Sequence, residues 1–457
     1  MKRWMLSGLV VVLVAAAGVT LVAVPEGQEW TTDSEEALAA FEAYIDARMK
    51  LYAEDERRFI AQAVELDPDF VIANFFSLRY LDRETESEER EARWAVVENA
   101  DRSLLTPRER FYVERALAFR EERSDDAVAM LDEYLERYPK DPFIVHEKAL
   151  RAWTMGDLEV AEKLNQRLVE ISPNWVLAYN QLGYINMMKG RFTEAEEYFK
   201  SYRFIAPDQA NPHDSLGELF ITLGRYEEAE ETLEKAIQIK PDFWASYQHL
   251  VLMKAYQNDL AGVNTVIERM KAASAPEQWV MPMECLEYSN RLRNARAWKQ
   301  IIEETAESEC VKDMQEGFSF VTAHYAASQL GNWEMAMELE LEAANIIARM
   351  EQDKGMSKET GLLRAVYLHM QGVRLALQGE YGEATEMLEA ADKSINYMEA
   401  PGAMFKLFNR TVIAEVLLAD GRDAEAHKLL TKVRAVNPVL VAEFEDAGLK
   451  ELGLERG

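Results

Sequence analysis

Residues 177–207 read LAYNQLGYINMMKGRFTEAEEYFKSYRFIAP, and residues 215–241 read SLGELFITLGRYEEAEETLEKAIQIKP. The glycines Gly190 and Gly224 hold the same place in these two stretches, and their residue numbers differ by 34. The same interval recurs along the chain in a set of alanines, glycines and prolines: Ala127, Ala161, Ala195, Ala229, Gly156, Pro139, Pro173, Pro207 and Pro241. A fixed period of this size is typical of an array of one supersecondary unit.

Each repeated unit has the pattern of two amphipathic helices. Apolar residues recur at three- and four-residue spacing in both halves of the quoted stretches, which is the spacing of one helix face. Gly190 and Gly224 stand where the first helix must end and the chain must turn. Pro207 and Pro241 end the second helix, because proline lacks the N–H that would continue the hydrogen-bond ladder.

The unit resembles the tetratricopeptide repeat, most clearly over residues 141–242. The resemblance is carried in one unit by Tyr179, Leu182, Gly183, Ala195, Phe199, Tyr202 and Pro207, and in the next by Leu216, Gly217, Ala229, Leu233, Ala236 and Pro241. It implies an all-α, right-handed superhelical solenoid of stacked antiparallel helix pairs, which binds other proteins along its concave side. Residues 243–273 fit less well, since Asn258 occupies the position of the turn glycine.

Divergent units are predicted on both sides of this block. A glycine followed five residues later by an alanine recurs at Gly331 and Ala336, Gly379 and Ala384, and Gly421 and Ala426. The gaps between these glycines exceed the period of the regular block, so the C-terminal helices should be longer. The whole chain is predicted to hold about eleven helical pairs. The expected divisions are a signal-anchor or signal peptide at 1–24, a linker at 25–33, divergent repeats at 34–140, the regular block at 141–273 and divergent repeats at 274–457.

The N-terminus has the pattern of an export signal. Lys2 and Arg3 precede an uncharged apolar stretch that extends to Val24, about as long as a bilayer-spanning helix. A retained anchor would place the repeats outside the cytoplasm, because no further basic residue appears before Arg48. Small residues near Ala17 also suit a cleaved signal, and a cytosolic protein is the third alternative. The predicted location is the bacterial cell envelope: anchored in the inner membrane with periplasmic repeats, or secreted to the periplasm.

Composition limits the classes of partner. The chain has 457 residues and a formal net charge of −30, so its bulk field should repel nucleic acids and anionic membrane surfaces. The membrane is therefore expected to be contacted only through the N-terminal segment. Cys285 and Cys310 are the only cysteines; they either form a disulfide in an oxidising compartment or are two buried thiols.

No sequence motif predicts catalysis. None of the six histidines lies in a His-Glu-x-x-His or zinc-type spacing, and there is no Gly-x-Ser-x-Gly elbow or phosphate-binding glycine loop. Paired glutamates such as Glu227 and Glu228 fit the solvated face of a second helix. We therefore predict no catalytic residue, no cofactor and no metal site.

The resemblance places candidate binding residues on the first helix of each unit. These are Phe143, His146, Leu150 and Trp153; Leu177, Asn180, Tyr184, Met187 and Met188; Asn211, Asp214, Glu218 and Ile221; and Gln248, Leu252 and Tyr256. Aromatic residues and methionines in a concavity suit an apolar or amphipathic peptide. The alternative is that several of them are core residues, or are covered by the C-terminal helices folding across them.

The predicted function is a non-enzymatic scaffold that binds a protein or peptide of unknown identity. Family members that bind a C-terminal carboxylate use basic residues on this face, but here Tyr184, Met188 and Glu218 occupy those positions, so that mode is not expected. Two alternatives remain: a sensory or regulatory module that reads a small ligand or peptide, and a helical enzyme with carboxylates in its groove.

Overall fold

The computed structural model describes residues 29–82, 86–305, 319–354, 358–395, 399–445 and 452–454. These residues form helices joined by turns, with no strand among them, which confirms the all-α prediction. The chain divides into two units. The first comprises the described residues up to Arg48 together with Ala53–Tyr134, and the second comprises Met49–Tyr52 together with the described residues from Leu135 onward.

The N-terminal helices vary in length more than those of the block that follows, from 7 residues in the third to 16 in the first. They are α1 (Glu35–Lys50), α2 (Ala53–Leu66), α3 (Val71–Ser77), a 3₁₀ turn (Leu78–Tyr80), α4 (Ser87–Asn99), α5 (Pro107–Arg120) and α6 (Ser124–Arg137). The start of α5 shows how sequence sets a boundary. Thr106 accepts a hydrogen bond from the backbone N–H of Glu109, and the Glu109 carboxylate accepts one from the N–H of Thr106. This capping box, with Pro107 at the first helical position, fixes the residue at which the helix begins.

The regular block consists of eight helices of nearly equal length. They are α7 (Pro142–Thr154), α8 (Leu158–Ile171), α9 (Val176–Met188), α10 (Phe192–Ile205), α11 (Ala210–Thr222), α12 (Tyr226–Ile239), α13 (Trp244–Tyr256) and α14 (Leu260–Ala272). Gly190 and Gly224 follow α9 and α11 with φ of 71° and 69°, so both predicted turn glycines adopt the left-handed conformation. Asn258 holds the same position one unit later with φ of 58°.

Small residues allow the two helices of a pair to approach closely. Gly183 on α9 faces the ring of Phe199 on α10, where a Cβ would lie only 2.6 Å from Phe199 Cδ1. Gly217 on α11 faces Leu233 on α12 in the same way, with Cγ at 2.7 Å. The partners Phe199 and Leu233 are both fully buried. The glycines identified from the sequence are therefore needed for packing within each pair.

Ion pairs join successive units at the surface of this block. Glu162 on α8 accepts from Lys189 Nζ and Arg191 Nη2, both at 2.6 Å. One unit later, Glu196 accepts from Arg225 Nη1 at 2.8 Å. The same repeat spacing that aligns the apolar residues thus also aligns opposite charges across the junction between units.

The helices after the regular block vary widely in length, and some are longer than any helix of the block. They are α15 (Glu277–Asn294), α16 (Trp298–Thr305), α17 (Ser319–Gln329), α18 (Trp333–Lys354), α19 (Lys358–Leu377), α20 (Tyr381–Ser394), α21 (Glu399–Ala419), α22 (Asp423–Val436) and α23 (Pro438–Glu445). The helices α18, α19 and α21 have 22, 20 and 21 residues. Gly372 on α19 faces Leu388 on α20, and a Cβ at this glycine would lie only 2.5 Å from Leu388 Cγ, so this pair packs like those of the regular block.

The C-terminal helices return to the regular block within the second unit. Helix α21 contacts α11, and one apolar cluster contains Ile221 of the block together with Met404 and Leu407 of α21. Asn437, between α22 and α23, donates to the carbonyl oxygen of Thr222 at 3.3 Å. The last turn of α11 is therefore covered by residues more than 200 positions further along the chain.

Candidate protein-binding surface

The candidate surface begins on α7, where an aromatic group is only half buried. Phe143 and His146 both contact Trp175, at ring-centroid distances of 5.0 and 5.6 Å. Trp153, on the last turn of α7, is half buried as well and packs beside the small residues Ala152 and Ala161. Asp141 caps α7 by accepting a hydrogen bond from the N–H of Phe143 at 3.0 Å. This cap fixes the residue at which α7 begins and thereby the positions of Phe143 and His146 on the helix.

A polar network connects the first helices α9, α11 and α13. Tyr184 Oη donates to Glu218 Oε2 at 2.5 Å, and Ser215 Oγ donates to Asn180 Oδ1 at 3.0 Å. This network, Asn180–Tyr184–Ser215–Glu218, joins α9 to α11 across two adjacent units. Its members are buried or half buried, so each hydrogen bond satisfies polar atoms that water does not reach freely.

Asp214 extends the network from α11 to α13. Its Oδ1 accepts from Ser246 Oγ at 2.6 Å and lies 3.0 Å from Nδ1 of His249. The other ring nitrogen, Nε2 of His249, lies 3.9 Å from Glu218 Oε1. His249 thus stands between two nearly buried carboxylates, and the polar side chains of three consecutive first helices are connected.

Electrostatics keep the tyrosines of this region protonated. Burial raises the pKa of Tyr184 well above its ordinary value, and the nearby charges of Glu218 and Asp214 raise it further. Burial also raises the pKa of Tyr256. A protonated Tyr184 donates its hydrogen bond to Glu218 throughout the physiological pH range, which suits a fixed structural contact better than proton transfer.

The structure separates the predicted binding residues into two groups. Asn180, Met187, Met188, Glu218 and Ile221 are buried, and Met187 and Ile221 are 0% exposed. The half-buried group comprises Phe143, His146, Trp153, Tyr184, Leu252 and Tyr256. Every residue of α11 is buried, so at α11 the structure agrees with the alternative that the predicted residues are core or are covered by the C-terminal helices. Binding by the half-buried residues stays a prediction.

Sequence reasoning missed Ser215, Ser246, His249 and Trp175, although a signal for one of them was present. His249 occupies the position on α13 that Ser215 occupies on α11, one repeat period earlier. Comparing polar residues at equal positions in successive units would have indicated the contact between first helices. Among the described residues, no group of three or more histidines, cysteines and acidic residues is arranged to hold a metal ion.

Two sequence predictions depend on residues outside the described part. The apolar segment 1–24 lies there, and none of the helices that are described is long and apolar enough to cross a membrane. Cys310 also lies there, whereas Cys285 is buried on α15, so the pairing of these two cysteines stays a prediction.

Comparisons with known proteins agree with the repeat. Three family models, each described as tetratricopeptide repeat, match residues 112–141, 146–210 and 186–252. A comparison with curated proteins found no match. Beyond residue 252 the family models do not extend, although Gly372 and Leu388 show the same packing as the matched units.

Solved structures similar to this chain include three helical proteins. PilW, a type IV pilus biogenesis factor, has 15% identity and a TM-score of 0.33 over 54% of this chain and 93% of its own. The Cut9–Hcn1 hetero-tetramer of APC/C gives 14% identity and 0.42 over 88% and 68%. The human IFIT1 dimer with PPP-AAAA gives 13% and 0.38 over 89% and 96%. Because all three TM-scores are below 0.5, the fold is argued from the repeats themselves.

Proposed function

Residues 112–252 make this chain a member of the tetratricopeptide-repeat family, and from this premise we propose that it is a non-enzymatic scaffold that holds a protein or peptide partner. Repeats of this kind generally mediate contacts between proteins. The polar side chains of the network described above hydrogen-bond to one another between helices. This structural use of the polar groups supports a scaffold. A preformed surface keeps the entropic cost of ordering low when a partner binds.

We place the partner-binding surface on α7. The observation that carries this proposal is the half-buried aromatic group of Phe143, His146 and Trp153, in contrast to α11, which is buried along its whole length. Aromatic side chains supply a large contact area at low cost in side-chain entropy, which makes them frequent energetic centres of interfaces. The partner is expected to insert an apolar or aromatic side chain between these rings.

Photo-crosslinking of the full chain tests this surface. A photoreactive phenylalanine analogue placed at His146 should capture one partner from envelope fractions, and capture should be lost when Phe143→Asp is added. The matched control places the same analogue at Phe204, which is 87% exposed on α10. The proposal fails if His146 gives no adduct, or if both positions give the same adducts with and without Phe143→Asp. Circular dichroism would verify that the variants keep their helices.

We propose that the scaffold acts in the bacterial cell envelope, on the basis of Lys2, Arg3 and the apolar stretch that follows them. Fractionation of cells that express the full chain tests this location. A retained anchor predicts that the protein stays with membranes after alkaline carbonate washing, while a cleaved signal predicts a shorter periplasmic form. Recovery of the full-length protein in the cytosol would contradict both.

A further inference from the structure

A cleft in the first unit is lined by none of the residues assigned to the scaffold surface. Its walls come from α3, α4 and α5, and its volume of about 650 Å³ is within the usual range for a ligand site, roughly 300–1,000 Å³. Helix α4 contacts α5 along only a short stretch, which leaves the space between them open. The lining residues are Phe75, Ser87, Arg90, Glu91, Trp94, Tyr112, Arg115, Ala116, Phe119 and Arg120.

The charge of this cleft is opposite to that of the chain. Three arginines, Arg90, Arg115 and Arg120, line it against a single carboxylate, Glu91, whereas the whole chain carries a formal charge of −30. Three guanidinium groups around one cavity concentrate N–H donors whose geometry matches carboxylates. Counting Glu98, which lies 3.2 Å from Arg120 Nε, three guanidinium groups meet two carboxylates, so the local charge still favours an anionic group.

Contacts within the unit hold these arginines in place. Arg90 Nη1 donates to the carbonyl oxygen of Leu78 at 2.6 Å, and Arg115 Nε donates to that of Ala127 at 3.2 Å. Arg120 Nη2 donates to Glu91 at 2.7 Å. A fixed guanidinium loses little conformational freedom when a ligand arrives, so the cleft is preorganised for recognition.

Aromatic rings form the rest of the lining. The Arg120 guanidinium lies 4.7 Å from the ring centroid of Trp94, and that of Arg115 lies 5.1 Å from the ring centroid of Phe119. Phe119, which lines the cleft, is 43% exposed. Flat apolar surfaces beside guanidinium groups suit a ligand that carries an aromatic ring next to a negative charge.

We infer that this cleft binds a peptide segment of a partner in which an aromatic side chain neighbours a carboxylate. The aromatic side chain would lie against Trp94 and Phe119, and the carboxylate would accept hydrogen bonds from Arg90 and Arg115. A peptide fits better than a small metabolite because the cleft is open and its lining is spread over three consecutive helices. This site is separate from the α7 surface, so it adds a charge-selective contact to the scaffold and does not depend on the α7 proposal.

Ser87 offers a test that leaves every arginine in place. It is exposed, begins α4 and lines the cleft, so a charge introduced there changes the local field with little effect on packing. The probe is the fluorescein-labelled hexapeptide Gly-Ser-Asp-Phe-Asp-Ser, titrated into the full chain and followed by fluorescence anisotropy. Ser87→Glu should weaken binding and Ser87→Lys should strengthen it, each by about threefold to tenfold. A purely structural effect of substitution would not change sign with the charge.

Three controls complete the experiment. Arg58→Gln removes an arginine that lies 4.6 Å from the Phe59 ring in the same unit but outside the cleft, and it should leave the affinity unchanged. A probe with lysine in place of both aspartates should bind at least about tenfold more weakly. Equal affinity of all Ser87 variants, or equal binding of the lysine probe, would overturn the inference. Phenylacetate and AMP are then tested as competitors. If either displaces the probe with a dissociation constant as low as that of the probe, the cleft is assigned to a small ligand and the peptide proposal is overturned.

Discussion

Two ion pairs between helical pairs differ in burial, one in the regular block and one in the C-terminal helices. In the block, the Arg225 and Glu196 side chains are 34% and 19% exposed. In the C-terminal helices, Arg374 donates to both oxygens of Glu340, and these side chains are 13% and 6% exposed. Both pairs join side chains on different helical pairs. The two pairs therefore differ in how far their charges are removed from water, although both join successive helical pairs.

The largest expected effect follows from breaking the buried pair. Arg374→Met should destabilise the C-terminal helices by about 3–5 kcal/mol, because Glu340 would remain buried with its charge only partly compensated. Burial alone raises the pKa of Glu340, but the hydrogen bonds from His324 and Arg374 outweigh it and lower that pKa. Urea unfolding followed by circular dichroism, at pH 7, measures the change.

The matched control is Arg225→Met in the regular block. Its partner Glu196 also contacts Lys200 at 2.8 Å and can reach water, so the expected loss is at most about 1 kcal/mol. Equal losses for the two variants would show that burial of the ion pair does not distinguish the two regions.

The second effect is a sensitivity of the C-terminal helices to acid. Burial lowers the pKa of His369 from 6.5 to about 4, and its Nδ1 lies 2.8 Å from Asn409 Oδ1. The His369 ring binds a proton more weakly in the folded state than in the unfolded state. The contribution of neutral His369 to the free energy of unfolding is therefore complete above pH 6.5 and is lost as the pH falls toward 4. From pH 7.5 to pH 5 the chain should lose about 2 kcal/mol through this group.

His369→Gln measures that contribution directly. The variant should show a smaller decrease in unfolding free energy between pH 7.5 and pH 5 than the wild-type chain. His427→Gln, at an exposed position on α22, serves as the control and should keep the wild-type pH dependence. Burial also lowers the pKa of His324, with the same sign, so a residual decrease is expected in the His369 variant. If the unfolding free energy of His369→Gln decreases with pH as steeply as that of the wild-type chain, His369 does not explain the sensitivity to acid.

The fold could be predicted where the same local pattern of a glycine and an alanine five residues later recurs. Gly331, Gly379 and Gly421 all have positive φ, and Ala336, Ala384 and Ala426 are fully buried, as the turn-plus-alanine pattern predicted. Covering of the first helices by the C-terminal helices was one of two alternatives, but the contact of α21 with α11 could not be assigned from the sequence. The hydrogen bond from Asn437 to Thr222 joins positions with no periodic relation, and such a contact leaves no local pattern in the sequence.

The candidate surface was predicted only in part for the same reason. The sequence placed residues on the correct helices, because the repeat period assigns each to a first helix. It could not tell a groove residue from a core residue at Met187 or Ile221, since both roles require an apolar side chain at helical spacing. The cleft beside Trp94 was not found, because its arginines come from helices without the regular period.

A third prediction tests whether the C-terminal pair α19–α20 packs as tightly as a regular pair. Gly183→Ala places a methyl group against the fully buried Phe199 ring, and Gly372→Ala places one against Leu388. Each substitution should lower the free energy of unfolding by about 1–2 kcal/mol, because the penalty for overpacking exceeds the gain in helix propensity. Gly382→Ala is the control, because nothing lies within 4 Å of the added carbon. A loss at Gly183 alone, in urea unfolding, would show that the longer helices can relax where regular ones cannot.

The smallest effect concerns one turn position that the units fill differently. Glu122, Gly156 and Asn258 occupy the same register of the repeat, with φ of 60°, 79° and 58°. A side chain with a Cβ is strained in this conformation, and asparagine tolerates it better than glutamate. Glu122→Gly should therefore stabilise its turn by about 0.5–1 kcal/mol, and Asn258→Gly by less. Amide hydrogen exchange of the flanking helices measures the change in stability for both substitutions. Gly156→Ala should destabilise its turn through the backbone alone, because nothing lies within 4 Å of the added carbon. If all three changes act in the same direction, backbone strain does not explain why glycine recurs at this position.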